Sequence, residues 1–330
     1  MHVTEPKDVS IDSTHKNRLH ADALSHSDAE NGSARVTIIN AKRHPLSHGK
    51  PPQWASAWGE DEQGVWVEFT LGDVIQRMRW IPPGRFTMGS PPKEPGRFDT
   101  EGPQHEVILT QGYWLFDTPC TQALWQAVMG DNPSRFQSLD RPVESVSWDE
   151  CQSFLHKINS RLDDLNLSLP TEAQWEYACR AGTDTATYAG EIELLGDANA
   201  PALDPIAWYG GNSGIGFELD NGENASAWLS NRQYHDDPSG SHAVKKKLAN
   251  PWGLYDMLGN VWEWCLDGML DYTQGSEVDP EGSTHAGAER VVRGGSWYSS
   301  ARFVRCACRN RFHPVERNDS IGFRPARVQL

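Results

Sequence analysis

The alternation of apolar and polar residues predicts that ordered structure begins near Pro51. Residues 65–72 (VWVEFTLG) alternate as a half-buried strand does, and residues 74–81 (VIQRMRWI) follow after a Gly-Asp turn, so the two segments predict a β-hairpin. RFTMGS and residues 105–116 (HEVILTQGYWLF) predict further strands. This part of the chain is therefore expected to form a small antiparallel sheet.

Three helices are predicted from the residues that would cap their first turns. Thr121 opens TQALWQAVM, and Gly130 stands where a left-handed C-cap residue belongs. Ser147 and Glu150 form a capping box, which is followed by apolar residues at spacings of three and four. Thr171 repeats this capping pattern at the start of TEAQWEYACRAG.

Other segments carry little regular pattern. Residues 190–249 are punctuated by Gly, Asn, Asp and Pro, which predicts long loops, and the final third predicts strands and turns. Residues 1–50 are polar, and their hydrophobic content is too low to support a packed core. We expect a flexible polar arm over 1–50 and a single α+β domain over 51–330.

Bulk composition narrows the functional classes. The chain has 330 residues and its mean hydropathy is -0.62. No apolar run approaches the roughly 18 residues of a membrane helix, and the N-terminus lacks the apolar segment of a secretory signal. The six cysteines form no CxxC pair of the zinc-binding type. These features predict a cytoplasmic protein that does not insert into membranes, with disulfides left open.

Charge is unevenly distributed. The net charge of -15 argues against nucleic-acid binding. Residues 290–330, however, hold nine Arg and no Lys against two acids, a balance of +7 that leaves -22 elsewhere. These arginines either pair with acidic residues inside the fold or form a basic face that attracts an anionic partner.

Six motifs occur in order along residues 75–327: WIPPGRFTMGS, PVESVSWDE, LPTEAQWEYACRAG, NPWGLYDMLGNVWEWC, VVRGGSW and IGFR. Together they closely resemble the formylglycine-generating enzyme (sulfatase-modifying factor) family. The resemblance implies a C-type lectin-like fold of the formylglycine-generating enzyme type. That fold has little regular secondary structure, a small antiparallel sheet and a few helices.

The resemblance also implies a structural Ca²⁺ site. In the family, the matching segment binds Ca²⁺ through the side chains of Asp256 and Glu263 and the carbonyls of Gly259 and Val261, a donor set that suits this ion. Another interpretation is that the neighbouring tryptophans alternate into a core while Glu263 pairs with an arginine.

Catalytic copper in the family is held by two cysteines, whose positions are Ser299 and Val304 here. Copper(I) selects soft thiolate ligands, which a hydroxyl and an isopropyl group cannot replace. Cys306 and Cys308 lie nearby and would face the same way on a strand, but reaching one metal would need a changed register. We therefore expect no copper, and the loss of both cysteines argues against an enzyme.

Another branch with this fold comprises the variable target proteins of diversity-generating retroelements, and this chain is most similar to that branch. The segment 294–324 matches their variable region, in which Arg and aromatic residues lie between glycine-containing brackets. The matching variable positions are expected to contact a ligand, and they are Tyr298, Ser299, Ser300, Phe303, Cys308, Phe312, His313 and Ser320. The arginines at 302, 305, 309 and 311 would form framework or rim.

Three hypotheses follow from the sequence. The first is a non-catalytic protein that binds a protein or other macromolecular ligand through this C-terminal surface, which retroelement activity would diversify. The second is a metal-dependent oxidase of the formylglycine-generating type that acts on a protein cysteine. The third is a fixed accessory or signalling module with no diversity mechanism.

Overall fold

The computed structural model describes residues 44, 46–47, 49–225, 229–285 and 287–328. Most of the predicted arm lies outside these residues. Leu46, which is described, is buried against the domain. Packing against the domain therefore begins slightly before Pro51.

The described residues form twelve strands and three α-helices. In chain order the strands are β1 (Ala57–Asp61), β2 (Gly64–Leu71), β3 (Val74–Ile81), β4 (Gly84–Met88), β5 (His105–Leu109), β6 (Tyr113–Phe116), β7 (Trp262–Gly268), β8 (Ser276–Val278), β9 (Arg290–Arg293), β10 (Arg309–Phe312), β11 (Ile321–Phe323) and β12 (Ala326–Val328). The helices are α1 (Gln122–Met129), α2 (Trp148–Asn159) and α3 (Glu172–Arg180).

Helix starts lie where the capping residues predict them. Thr121 Oγ1 accepts the Leu124 N–H at the start of α1, and Gly130 ends that helix with φ of 93°. Ser147 and Glu150 form a reciprocal capping box at α2, and Thr171 caps α3. The three predicted helices are confirmed.

The strands form three sheets instead of one. Their orders are β1-β2-β3-β6-β12, β10-β9-β7-β11 and β4-β5-β8. The predicted hairpin is the β2–β3 pair, with Leu71 opposite Val74. Most pairings are antiparallel, but β11 runs parallel to β7 and β8 runs parallel to β5. Each parallel partner comes from a distant part of the chain, so local alternation could not reveal it.

Large aromatic side chains fill the interior. Trp114, Trp175, Trp264 and Trp297 are among the largest fully buried side chains. Between 190 and 249 most of the described residues lie in loops and turns, and Pro201–Leu203 form a short 3-10 turn. Buried aromatic rings and loop hydrogen bonds therefore stabilise a fold with modest regular structure, as the fold-level resemblance implies.

Candidate functional site

The candidate site follows the four-stranded sheet and begins at a double-glycine turn. Gly294 and Gly295 have φ of 97° and 76°. A Cβ on Gly294 would lie 2.8 Å from the Met257 carbonyl oxygen, and one on Gly295 would lie 2.9 Å from Val304 Cγ2. Positive φ and these close approaches both require glycine. The turn thus fixes the direction in which the chain leaves β9.

Hydrogen bonds hold the residues after this turn. Ser299 Oγ accepts the Ser296 N–H at 3.0 Å and lies 3.1 Å from Ser296 Oγ. Trp297 is buried, and its indole N–H donates to the Asp319 carbonyl at 2.9 Å. Trp297 therefore joins the two ends of segment 294–324 and serves as framework.

Arginines inside the segment are paired with glutamates from distant parts of the fold. Arg305 is fully buried and contacts Glu101 at 2.6 Å and Glu94 at 2.5 Å. Arg309 contacts Glu172 at 2.5 Å. Burial lowers the pKa of Arg305, but the hydrogen bonds and charges of its carboxylate partners outweigh it, so the pKa lies above its ordinary value. These two arginines are framework, as expected.

The positive balance of the C-terminal segment is therefore compensated largely inside the protein. Arg293 also pairs with Glu176, and Arg324 with Glu263, in fully buried contacts. The exposed arginines Arg311 and Arg317 each have a glutamate partner. Of the two interpretations offered for the nine arginines, internal pairing is the one that the structure supports.

Six of the eight expected ligand positions reach the surface, and together they are called the candidate face. They are Tyr298, Ser300, Phe303, Phe312, His313 and Ser320. His313 is exposed and the other five are half-buried. Partial burial, with the charges of Glu223 and Asp319, raises the pKa of the Tyr298 phenol.

Aromatic packing supports the candidate face from below. The Phe303 ring lies 6.2 Å from Trp262, and the Phe312 ring lies 6.3 Å from Trp264. These two tryptophans point to the same side of β7, because side chains two residues apart on a strand share a face. Phe303 also packs at 5.1 Å against Phe98. Apolar contacts thus set the positions of the two phenylalanines.

The other two expected positions are corrected by the structure. Cys308 is fully buried and Ser299 is 8% exposed. Cys308 belongs to the core that includes Trp264 and Val292, and burial raises the pKa of its thiol to about 12. Ser299 is held inward by its bonds to Ser296. Neither side chain is placed to contact a surface ligand.

The two positions that correspond to copper ligands offer no thiol. Val304 is fully buried in the core, and Ser299 is hydrogen-bonded as above. Cys306 and Cys308 are not a same-face pair on a strand, because residues 304–308 precede β10, and the two side chains pack into different hydrophobic clusters. Cys306 lies instead with its sulfur 3.6 Å from that of Cys179. All six cysteines are buried free thiols.

Comparison with known proteins assigns the chain to a family. The model of the sulfatase-modifying factor enzyme 1-like domain matches residues 70–329. The chain belongs to this family. The formylglycine-generating enzyme of Mus musculus is 29% identical over 233 residues, which is 68% of this chain and 54% of the mouse enzyme. The chain therefore spans about half the length of that relative.

Two further relatives bear on function within the family. Variable protein 1 of Treponema denticola superposes with a TM-score of 0.62 at 28% identity, covering 80% of this chain and 99% of that protein. A bovine protein described as an inactive C-alpha-formylglycine-generating enzyme 2 is 27% identical over 223 residues, covering 65% and 58%. The match to a variable protein confirms the resemblance seen in the sequence.

Two of the four residues that match the family's calcium site, Asp256 and Glu263, have side chains that already bind other groups of the protein. Glu263 is held by Arg324 at 2.8 Å and accepts the Trp175 indole N–H at 2.6 Å. Asp256 accepts the Lys245 N–H and the Asn260 amide. A guanidinium thus already neutralises Glu263, which is the pairing with an arginine that the sequence offered as the other interpretation. Calcium at Asp256, Gly259, Val261 and Glu263 therefore stays a prediction.

Some residues of the site carried no sequence signal. Phe98 and Trp262 pack against Phe303 of the candidate face, and Glu94 and Glu101 bind the buried Arg305. Phe98, Glu94 and Glu101 lie about 200 residues before their partners in the chain. Only the strongly acidic balance outside the last 41 residues pointed to such partners. Separately, no helix within the described ranges is long and apolar enough to span a bilayer.

Proposed function

We propose that this chain is a non-catalytic binding protein that presents the candidate face to a protein or other macromolecular ligand. The proposal rests on the separation of framework residues from surface residues within 294–324. Buried arginines, Trp297 and the glycine turn hold the backbone, while the six side chains of the candidate face reach the surface between them. Such a division allows contact residues to change without loss of the fold.

The chemistry of the face suits a binding surface. It combines Tyr, Phe, His and Ser, a mixture that resembles antibody paratopes, where rigid aromatic rings supply area and small polar groups adapt. Arg302 adds a cation 3.9 Å above the Phe98 ring. Four cavities of 340–460 Å³ among the described residues are lined by residues outside the candidate face.

The variable-protein relative supports diversification of the face as part of this proposal. Sequencing the DNA beside the gene tests it. A nearby copy of the 3′ end that differs only at adenines would support a diversified binder, whereas its absence would leave a fixed binding or accessory module.

A library tests the separation of scaffold and face. Randomising the six positions of the candidate face should leave most variants cooperatively folded and should yield members that bind a chosen target protein. A matched library that randomises the buried residues Ser299, Val304 and Cys308 should contain few folded members. Equal loss of folding in the two libraries would contradict the proposal.

The oxidase alternative is tested directly. A thiol-containing peptide is incubated with the protein and copper(I), and oxygen uptake and peptide mass are followed. Stoichiometric copper binding with oxidation of the peptide cysteine would replace the binding proposal, and we expect neither because the matching donors are a hydroxyl and an isopropyl group.

A further inference from the structure

Arg302 differs from the other arginines of the C-terminal segment. Of the nine arginines over 290–330, six contact a carboxylate: Arg293, Arg305, Arg309, Arg311, Arg317 and Arg324. Of the other three, Arg290 is buried against backbone carbonyls and Arg327 is half-buried. Arg302 is exposed, and no carboxylate of the described residues lies within salt-bridge distance of it. Internal pairing therefore leaves this one surface cation of the segment uncompensated.

The Arg302 guanidinium lies on an aromatic pair beside the candidate face. Its central carbon is 3.9 Å from the centre of the Phe98 ring, and that ring lies 5.1 Å from the ring of Phe303. Its Nε donates to the Gly96 carbonyl at 3.3 Å, and its Nη2 donates to the Arg97 carbonyl at 3.5 Å. The aromatic ring covers one face of the guanidinium plane but not its edge. The Nη1 end of that edge has no hydrogen-bond partner among the described residues.

The position of Arg302 is fixed before any ligand arrives. Gly96 has φ of 79°, and a Cβ there would lie 2.8 Å from the Arg302 Cβ, so only glycine lets the Arg302 side chain lie on this loop. The Gly96 carbonyl also accepts an N–H from the buried Arg305 at 3.1 Å, and Arg305 binds Glu94 of the same loop at 2.5 Å. A buried ion pair thus anchors the loop that carries Phe98. Such preorganisation reduces the entropy that binding costs.

The charges around Arg302 favour a carboxylate as its partner. Glu94 and Glu101 are both occupied by Arg305. Lys93 of the same loop is exposed and forms no salt bridge among the described residues, so it adds to the positive charge. The planar N–H fork of an arginine matches a carboxylate in shape and charge. A nucleic acid would bring many phosphates toward a protein of net charge -15, which repels them, whereas a single acidic side chain avoids that repulsion.

We propose that Arg302 recognises an aspartate or glutamate side chain of the protein ligand, while a neighbouring apolar side chain of that ligand packs on Phe303. Such recognition depends on the proposed binding function and defines the chemistry of the partner at one edge of the candidate face. The carboxylate accepts N–H groups from the open edge of the guanidinium. Phe303 is half-buried over Trp262, which leaves part of its ring for the apolar contact. Arg302 determines specificity, because an uncharged ligand would displace water from the guanidinium without replacing its hydrogen bonds.

Selection of peptides on the full chain tests the proposal. A phage library of random dodecapeptides is panned against the immobilised protein, and the enriched sequences are compared with the unselected library. Asp or Glu should be enriched at one position, beside an apolar residue, and the best peptide is then synthesised. Replacing its acid with the matching amide should weaken binding by about tenfold or more, since a charge-assisted pair is lost.

Variants of the protein separate the Arg302 contact from general charge. Arg302→Gln should weaken binding of the acidic peptide by about tenfold or more, and Arg302→Lys should recover only part of the loss because lysine lacks the planar fork. Arg85→Gln, the matched control, removes the same charge from an exposed pair on β4 and should weaken binding by less than about threefold. Once the peptide carries the amide, Arg302→Gln should have little further effect.

Several results would overturn the proposal. They are absence of any enriched peptide, enrichment without a preferred acid, equal losses in R302Q and R85Q, and stronger binding of oligothymidylate than of the acidic peptide, which would identify a phosphate backbone as the partner. Acid-free peptides that lose binding in Tyr298→Ala or His313→Ala would refute the role of Arg302 while leaving the proposed function intact. Peptides insensitive to all of these changes would count against both. Should R302Q fail to unfold cooperatively, the acid and amide peptides on the wild-type chain and on Arg302→Lys still decide.

Discussion

Replacing Arg305 with Ala should destabilise the fold far more than an arginine-to-alanine change usually does. The Arg305 guanidinium contacts Glu101 and Glu94, and its Nε donates to the Arg302 carbonyl at 2.8 Å. Arg305 and Glu101 are fully buried and Glu94 is 7% exposed. The substitution would leave two buried carboxylates without their cation. Breaking a buried ion pair from one side costs about 3–5 kcal/mol.

Urea unfolding followed by tryptophan fluorescence measures this loss. The matched control is Arg311→Ala, since Arg311 pairs with Glu289 at 2.8 Å while both side chains are about half exposed. Exposed pairs contribute about 0–1 kcal/mol, so the control should change the free energy of unfolding by less than about 1 kcal/mol. The triple variant with Glu94→Gln and Glu101→Gln should recover part of the stability.

The pH dependence of the stability loss in Arg305→Ala provides an independent check on the same residues. Burial raises the pKa of Glu94 above 4.5, and Arg305 opposes that rise. Without Arg305, the folded-state pKa of Glu94 rises further. A carboxyl whose folded pKa exceeds its unfolded pKa binds its proton more tightly when folded. The amount by which it lowers the free energy of unfolding is therefore small below the unfolded pKa and grows as pH rises through the folded pKa. The deficit of Arg305→Ala should be larger at pH 8 than at pH 5.

Two results would refute this reasoning. One is a deficit in Arg305→Ala no greater than that of the exposed control. The other is a deficit that does not change with pH and is not relieved by the two glutamine substitutions. Either would mean that the segment does not depend on its buried ion pairs.

Three further predictions follow from other parts of the fold. Glu144→Gln should be more stable than the wild type above pH 7 but not at pH 5, as measured by thermal unfolding. Burial raises the pKa of Glu144 to about 7, so the stability that its protonated form provides is lost as pH rises through that value. Equal pH profiles of the two proteins would contradict this. Cys308→Ser should lower the free energy of unfolding in urea by about 1–3 kcal/mol, because it buries a hydroxyl in the core. Ser300→Cys on the candidate face should lower it by less than about 0.5 kcal/mol. Similar losses in the two variants would place Cys308 at the surface. Removing Ca²⁺ with EDTA should leave the melting temperature unchanged because Arg324 neutralises Glu263, and a drop reversed by added Ca²⁺ would instead establish calcium at Asp256 and Glu263.

The sequence predicted the elements whose signals are local. The hydroxyl of Ser147 and the carboxylate of Glu150 are three residues apart, so a capping box can be read directly. The β2–β3 hairpin likewise depends on alternation and a turn between neighbouring segments. Motifs in series added the family and its fold, which no single element could have indicated.

The rest depended on contacts between distant residues. Cys308 was expected at the surface from its place in a pattern, but the residues before β10 are irregular, and their burial does not alternate. The partner of Glu263 is Arg324, 61 residues away, so a ligand role and a structural role for the carboxylate looked alike in the sequence.

The long reach of the buried ion pairs limits transplantation of the C-terminal segment. Arg305 and Glu101 are 204 positions apart, and Arg309 and Glu172 are 137 apart. A loop grafted from this protein onto an unrelated scaffold would arrive with cations whose counter-charges stayed behind. Transferring its recognition properties would require moving the whole domain, or introducing the glutamates that pair with these arginines into the new scaffold.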